Sequence, residues 1–120
     1  TQKIAVVGND IVNRVSAMDP GGTFASPVVE SYPEIADDYL QVIEQPMDLR
    51  TIREERMQAY SSIQELKDDL VLMCDNCCTY NNTPNSYIYK LGKHIRNMLD
   101  SVFHDACVAN RIRLPKGLKK

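Results

Sequence analysis

Apolar residues recur at alternating spacings of three and four along three stretches of this chain. Ile63, Leu66, Leu70, Met73, Cys77 and Tyr80 follow that period, as do Ile88, Leu91, Ile95, Met98 and Val102, and near the start Ile4, Val7, Ile11, Val15 and Met18. Such a period lays one apolar stripe along an α-helix. Proline and glycine agree with it. Neither occurs between Pro46 and Pro84, and only Gly92 interrupts the run from Pro84 to Pro115. Ser61 or Ser62 is a start for the middle helix, with Gln64 or Glu65 three residues on completing a capping box. Asn85 is the expected cap of the last helix, which spans about 35 to 40 Å if helical to Asn110. The first helix stops at Asp19-Pro20-Gly21-Gly22. A shorter helix is predicted after Asp48, whose carboxylate caps Leu49-Arg50-Thr51-Ile52, and ends before Tyr60. No segment alternates as a strand does, and no repeat is present. The predicted architecture is an all-α, antiparallel four-helix bundle.

Between the first two helices lies PGGTFASPVVESYPEIADDYLQVIEQPM, residues 20–47, with four prolines and no sustained helical period. Connections of this length are uncommon in compact domains unless they are functional or disordered. Phe24, Val28, Val29, Tyr32, Ile35, Tyr39, Val42 and Ile43 make it too apolar for disorder. The expectation is a long ordered loop that folds back on one end of the bundle and, with the segment after Tyr80, walls a pocket there.

At 120 residues and 13.6 kDa the chain fits one domain with one core, needing neither metal nor disulfide. With 43% hydrophobic and 25% charged residues it is ordinary for a globular protein. A net charge of -2 supplies no overall drive toward nucleic acid. No apolar run reaches membrane-spanning length, and TQKIAVVGND lacks the basic end and apolar core of a signal peptide, so an intracellular protein is expected. Charge is unevenly placed. Between Arg14 and Arg50 there is no Lys or Arg, while Asp19, Glu30, Glu34, Asp37, Asp38, Glu44 and Asp48 are acidic. Acids on a loop commonly serve only its solvation; on the rim of an apolar pocket they would also steer a basic peptide inward.

The stretch CCTYNNTPNSYI, residues 77–88, crowds neutral hydrogen-bonding groups beside cysteines. Four chemistries compete for it: metal binding, redox, glycosylation and recognition of an amide. Cys74 and Cys77 form a C-x-x-C, with Cys78 adjacent, but they fall mid-helix near the apolar face. There is no second such pair, and His94 and His104 do not share a helix face. Buried small hydrophobes are the better reading, so no metal or cofactor is expected. Asn81-Asn82-Thr83 is formally a sequon, without use in an intracellular pocket. A helix-end asparagine is also a common structural cap.

TFASPV, then DDYLQVIEQPMDLRTI, then DNCCTYNNTPNSYIY, in this order and at these separations, resemble a bromodomain, the helical module that binds acetylated lysine. The resemblance spans roughly residues 3 to 110. Its most specific pieces are Tyr39 with Val42-Ile43, Pro46-Met47-Asp48-Leu49, and Asn76-Cys77 followed by Tyr80-Asn81. It implies a left-handed bundle with the long loop between its first two helices. It further implies that Asn81 donates to the acetyl oxygen, that Tyr39 reaches the same oxygen through water, and that Pro27-Val28, Phe24 and Ile35 are apolar wall. Tyr80 would pack behind Asn81, and Tyr87, six residues after Asn81, would be the gatekeeper. The partners implied are acetylated histone tails and other chromatin-complex subunits, in the nucleus, and the role implied is that of a reader and not an enzyme. No nucleophile with a nearby base can be placed in the pocket.

The chain departs from the family pattern in two places. Gly22-Thr23-Phe24 stands where Trp-Pro-Phe is common, and there is no tryptophan, so a more open groove is expected. Pro27-Val28 could instead be set on the Pro-Phe of that motif, but Phe24 to Val28 as the matching unit better keeps the distance to Tyr39 and Met47. Leu40 replaces the second tyrosine of the family's pair. Gly92, costly within a helix at about 1 kcal/mol against Ala, suggests close helix packing. The expected domain is 1–112, followed by a basic tail, 113–120, read first as a frayed, solvated end, with a non-specific nucleic-acid contact or a linker to a further domain as the functional alternative. The rival to a reader is a degenerate bundle using the same surface for protein assembly alone.

Overall fold

The computed structural model of the protein describes residues 2–114. The tail expected at 113–120 therefore lies, from residue 115 onward, outside the described residues. All regular structure among them is helical. Helix α1 is Gln2–Ala17; α2 is the single turn Val28–Ser31; a 3₁₀ turn at Pro33–Ile35 leads to α3, Ala36–Val42; α4 opens at Leu49–Thr51; α5 is Ile63–Tyr80 and α6 is Tyr87–Ala109. After Thr51 the fourth helix continues through a π-type turn, Ile52–Arg56, and a 3₁₀ turn, Met57–Ala59. The widened turn has a packing reason: Leu49, Ile52 and Met57 are all buried, although five residues separate the last two.

Helix ends follow local chemistry. Ser62 caps α5 in a reciprocal capping box with Glu65, and Asp48 caps α4 by accepting from the Thr51 N–H at 3.0 Å. Helix α6 is capped by Ser86, which accepts from the Tyr89 N–H at 3.1 Å, and not by Asn85. Helices α1, α5 and α6 and the fourth segment enclose one core, built from Val7, Ile11, Leu66, Leu70, Ile95, Phe103 and their neighbours. The α6 stripe departs from the expected period at one position. Leu99 is buried at 1% exposure while Met98 is 37% exposed, because the spacing from Ile95 is four and not three.

Glycines set the closest approaches. A Cβ at Gly92 would stand 3.0 Å from Cys77 Sγ and 3.2 Å from Cys78 Sγ, so α5 and α6 meet there through sulfur against backbone. A Cβ at Gly8 would come within 2.6 Å of Met57 Sδ. Helical packing so tight requires Gly despite its propensity cost.

The connection from α1 to α4 is not structureless as its composition suggests. It carries α2, the 3₁₀ turn and α3. Only Tyr39 of α3 is buried; Leu40 and Val42 point to solvent at 51% and 49% exposure, so no helical apolar stripe shows in the sequence. Six hydrogen-bonded residue pairs hold the loop in place. The buried Asp19 carboxylate accepts from the N–H groups of Thr23 (2.9 Å) and Phe24 (2.7 Å). The Leu49 N–H donates to the Phe24 carbonyl (2.9 Å). Arg50 donates to both Glu30 oxygens (2.7 Å each), Asn76 donates to the Gln45 carbonyl (2.8 Å), and the Tyr80 hydroxyl donates to Asp38 (2.7 Å). Gly22, at φ 71°, supplies the left-handed residue that lets the chain turn onto Asp19.

Candidate functional site

These contacts leave a cavity of about 290 Å³ between the loop and the end of α5, lined by Thr23, Phe24, Val28, Tyr32, Glu34, Ile35, Tyr39, Met47, Met73, Cys77, Tyr80, Asn81 and Ile88. Volumes of this order suit a small polar group on an apolar stem. Its walls are mostly apolar. Phe24 is brought in by the Asp19 cap, Tyr39 by α3, Met73 and Cys77 by α5, and Met47 by the chain leading to the Asp48 cap.

Asn81 closes α5 as its C-cap residue. Its backbone N–H donates to the Cys77 carbonyl at 2.9 Å, and its side-chain NH₂ donates to the same carbonyl at 3.1 Å. An amide NH₂ has two hydrogens, so holding one on Cys77 orients the group and leaves the second unspent at a residue that lines the cavity. Tyr39 is 4% exposed, and no hydrogen bond to its hydroxyl is made among the described residues. Burial raises its pKa to about 12, with smaller contributions from Cys77, Tyr80 and Asp48, so the phenol is a neutral donor at physiological pH. Tyr80 packs its ring against that of Tyr39, centroids 4.9 Å apart and planes at 63°. The Tyr80 hydroxyl is held on Asp38, which also raises its pKa. Tyr80 is thus a half-buried wall of the cavity and a strut to α3, not a residue facing the bundle core.

Six of the eight residues proposed from sequence meet at this cavity: Phe24, Val28, Ile35, Tyr39, Tyr80 and Asn81. Pro27 and Tyr87 do not line it. Pro27 precedes α2 as its N-cap residue. Tyr87 is 64% exposed, and Ile88 takes the inward position. Tyr87 is the first helical residue after the Ser86 cap, and Ile88, about 100° further round the helix, is the one that reaches the wall. Met47, Met73, Cys77, Thr23, Tyr32 and Glu34 join the lining without having been singled out for the site. Asn76, which pins Gln45, and Asp19, which pins Phe24, are supports that the sequence signals only as polar residues on or beside apolar stripes.

Among the described residues no group of three or more His, Cys, Asp or Glu side chains converges as a metal ion would require. All four cysteines are free. Burial pushes the Cys74 and Cys77 thiols up to about 12, so both stay protonated. Cys77 instead donates to the Ile88 carbonyl at 3.4 Å, joining the end of α5 to the start of α6 under the cavity.

The bundle thus brings Asn81, Tyr39 and mostly apolar side chains to one cavity, a lining of the sort that suits a small uncharged polar group. The sequence model of the Bromodomain family matches residues 9–94. Bromodomain-containing protein 9 of Xenopus laevis is 41% identical over 85 residues, covering 70% of this chain, and Bromodomain-containing protein 7 of Gallus gallus is 38% identical over 88 residues, covering 72%. This chain spans only 15% and 13% of the length of those two relatives. A Trypanosoma brucei bromodomain, solved in complex with bromosporine, superposes with a TM-score of 0.75 at 26% identity, covering 85% of this chain and 86% of that one. A Leishmania donovani bromodomain shares the fold with a TM-score of 0.73 at 24% identity, covering 95% and 89%. The chain belongs to the bromodomain family. Bromodomains are acetyl-lysine reader modules, and the fold described above is of that kind.

Proposed function

We propose that this domain reads acetylated lysine in histone-type tails, and thereby recruits a larger chromatin or transcription regulator within the nucleus. The observation that carries the proposal is the pairing of the Asn81 amide with the Tyr39 hydroxyl in one apolar cavity. Acetylation removes the lysine charge and leaves a carbonyl acceptor, one N–H and a methyl group. Asn81 donates its second amide hydrogen to the acetyl oxygen, Tyr39 reaches that oxygen through a water, and Phe24, Val28 and Ile35 enclose the methyl and the lysine stem. An unmodified ammonium would lose its water at a cost of several kcal/mol and meet a donor where it needs an acceptor. Binding of a single mark is modest, since few contacts must offset the ordering of a flexible peptide.

The test is calorimetric titration with acetylated and unacetylated histone-tail peptides, repeated with Asn81→Ala and Asn82→Ala. The acetylated peptide is expected to bind with a clear preference. Asn81→Ala should weaken it about fivefold or more, because an acetyl oxygen left without a donor costs about 1–3 kcal/mol. Asn82→Ala, outside the cavity lining, should leave it nearly unchanged. Equal weak binding throughout would remove the reader function and leave a bundle used only for assembly.

A further inference from the structure

The loop acids are not equivalent. Asp19 and Asp48 are buried, Asp19 spending its oxygens on the Thr23 and Phe24 N–H groups and Asp48 on the N–H and hydroxyl of Thr51, while Glu30 is held by Arg50 and Asp38 accepts from Tyr80. That leaves Glu34, Asp37 and Glu44 without a hydrogen bond or ion pair among the described residues. Of these three only Glu34 lines the cavity, and no Lys, Arg or His lines it. Arg50, the first cation after Arg14 in the chain, is already committed to Glu30. Glu34 sits at the centre of the 3₁₀ turn Pro33–Ile35, between Tyr32 and Ile35, both of which also line the cavity. Its carboxylate is therefore a single uncompensated charge on the wall of an otherwise neutral site. An acetylated lysine, being neutral, gains nothing from it.

We propose that Glu34 makes this pocket selective for an acetylated lysine whose peptide neighbour, one or two residues away, carries a positive charge. The inference rests on the acetyl-lysine reading above and adds the second side chain that is recognised. An extended peptide advances at most about 3.6 Å per residue, so such a neighbour lies within about 7 Å of the residue entering the cavity. That is inside the roughly 8 Å screening length at physiological salt, whereas more distant cations fall outside it. Glu34 is exposed, so the preference is small, about two- to fivefold. An acidic or phosphorylated neighbour lowers affinity by the same interaction with its sign reversed.

The experiment uses one acetylated peptide in three versions, with arginine, glutamine or glutamate beside the acetyl-lysine, placed in turn on either side. Each is titrated against the unaltered domain, Glu34→Gln and Asp37→Asn, with unacetylated versions alongside. The expected order is arginine, glutamine, glutamate for the unaltered domain and for Asp37→Asn, collapsing to within about 1.5-fold in Glu34→Gln. Raising the salt should shrink the preference in the first two proteins. An arginine preference that survives Glu34→Gln, that is lost equally in Asp37→Asn, or that is absent from the start overturns the assignment. Acetyl-dependent binding without a neighbour effect would sink Glu34 alone. Binding that ignores acetylation would sink the reader function as well.

Discussion

Gly92 is the most exacting position between α5 and α6. Replacing it with alanine gains about 1 kcal/mol in helix propensity. Against this, the new Cβ would lie 3.0 Å from Cys77 Sγ and 3.2 Å from Cys78 Sγ, with Cys77 Cβ at 3.4 Å. Neither sulfur is free to retreat: Cys77 Sγ donates to the Ile88 carbonyl at 3.4 Å and Cys78 Sγ to the Tyr89 carbonyl at 3.7 Å, both on α6 itself. The helices must move apart instead, and overpacking of this kind costs about 1–3 kcal/mol. The net expectation for Gly92→Ala is a loss of up to about 2 kcal/mol. Cys77→Ala removes the nearer sulfur, so the double variant should recover much of that loss. A double-mutant cycle by urea unfolding should return a coupling of about 1–2 kcal/mol. Because Cys77 lines the cavity and its carbonyl orients Asn81, Gly92→Ala should also weaken acetyl-peptide binding. Stabilisation by Gly92→Ala, additive with Cys77→Ala, would refute the reasoning, for it would mean the helices accommodate a methyl at that point without strain.

Four further outcomes follow from the geometry. Tyr87→Ala should change acetyl-peptide affinity by less than about twofold, whereas Ile88→Ala should lower it about four- to fifteenfold, one to two methylene equivalents of contact at about 0.8 kcal/mol each; peptide titration decides, and the reverse order would restore Tyr87 as the wall. Asp19→Ala strands the buried N–H groups of Thr23 and Phe24 and should cost about 2–4 kcal/mol in thermal or urea unfolding, with peptide binding falling as Phe24 loses its anchor. Cys78, the one half-buried thiol, should react first with a maleimide, with Cys74 and Cys77 protected until the domain unfolds. Their raised pKa values, like that of Tyr39, mean that the folded state keeps protons the unfolded chain releases from its ordinary values of 9.0 and 10.0 upward. The associated stability is fully present below about pH 9 and is lost as pH rises toward 12; unfolding followed across that range should show the decline, and a flat profile would contradict the assigned burial.

The three long helices were legible because periodicity is a local property: each stripe reports which side of its own helix meets the core. The caps at Asp48 and at Ser62 with Glu65 were readable for the same reason, since the capping group and its N–H partner lie within one turn. At the start of α6 two adjacent polar residues, Asn85 and Ser86, were equally able to cap. The structure uses Ser86, and which side chain of the first turn meets the cavity is set by how α6 packs. Helix α3 was hidden for a different reason. Only one of its side chains is buried, so most of its surface obeys solvent and leaves no stripe to read.

Sequence by itself determined an all-α bundle, an ordered apolar loop, and the neighbourhood of Asn81 and Tyr39 as the place where neutral donors collect. What the tertiary structure decided was which groups remain available once folding has used the rest. Asp19, Glu30, Asp38 and Asp48 read alike with Glu34 along the chain, yet four of these five are tied up in intramolecular bonds and one faces the cavity. Likewise Asn76, Asn81, Asn82 and Asn85 differ only by where they fall. One pins the loop, one turns an amide into the cavity, and two lie in the exposed turn. Residue type sets what a group can do, but its partners across the fold set whether any of that capacity is left for a ligand.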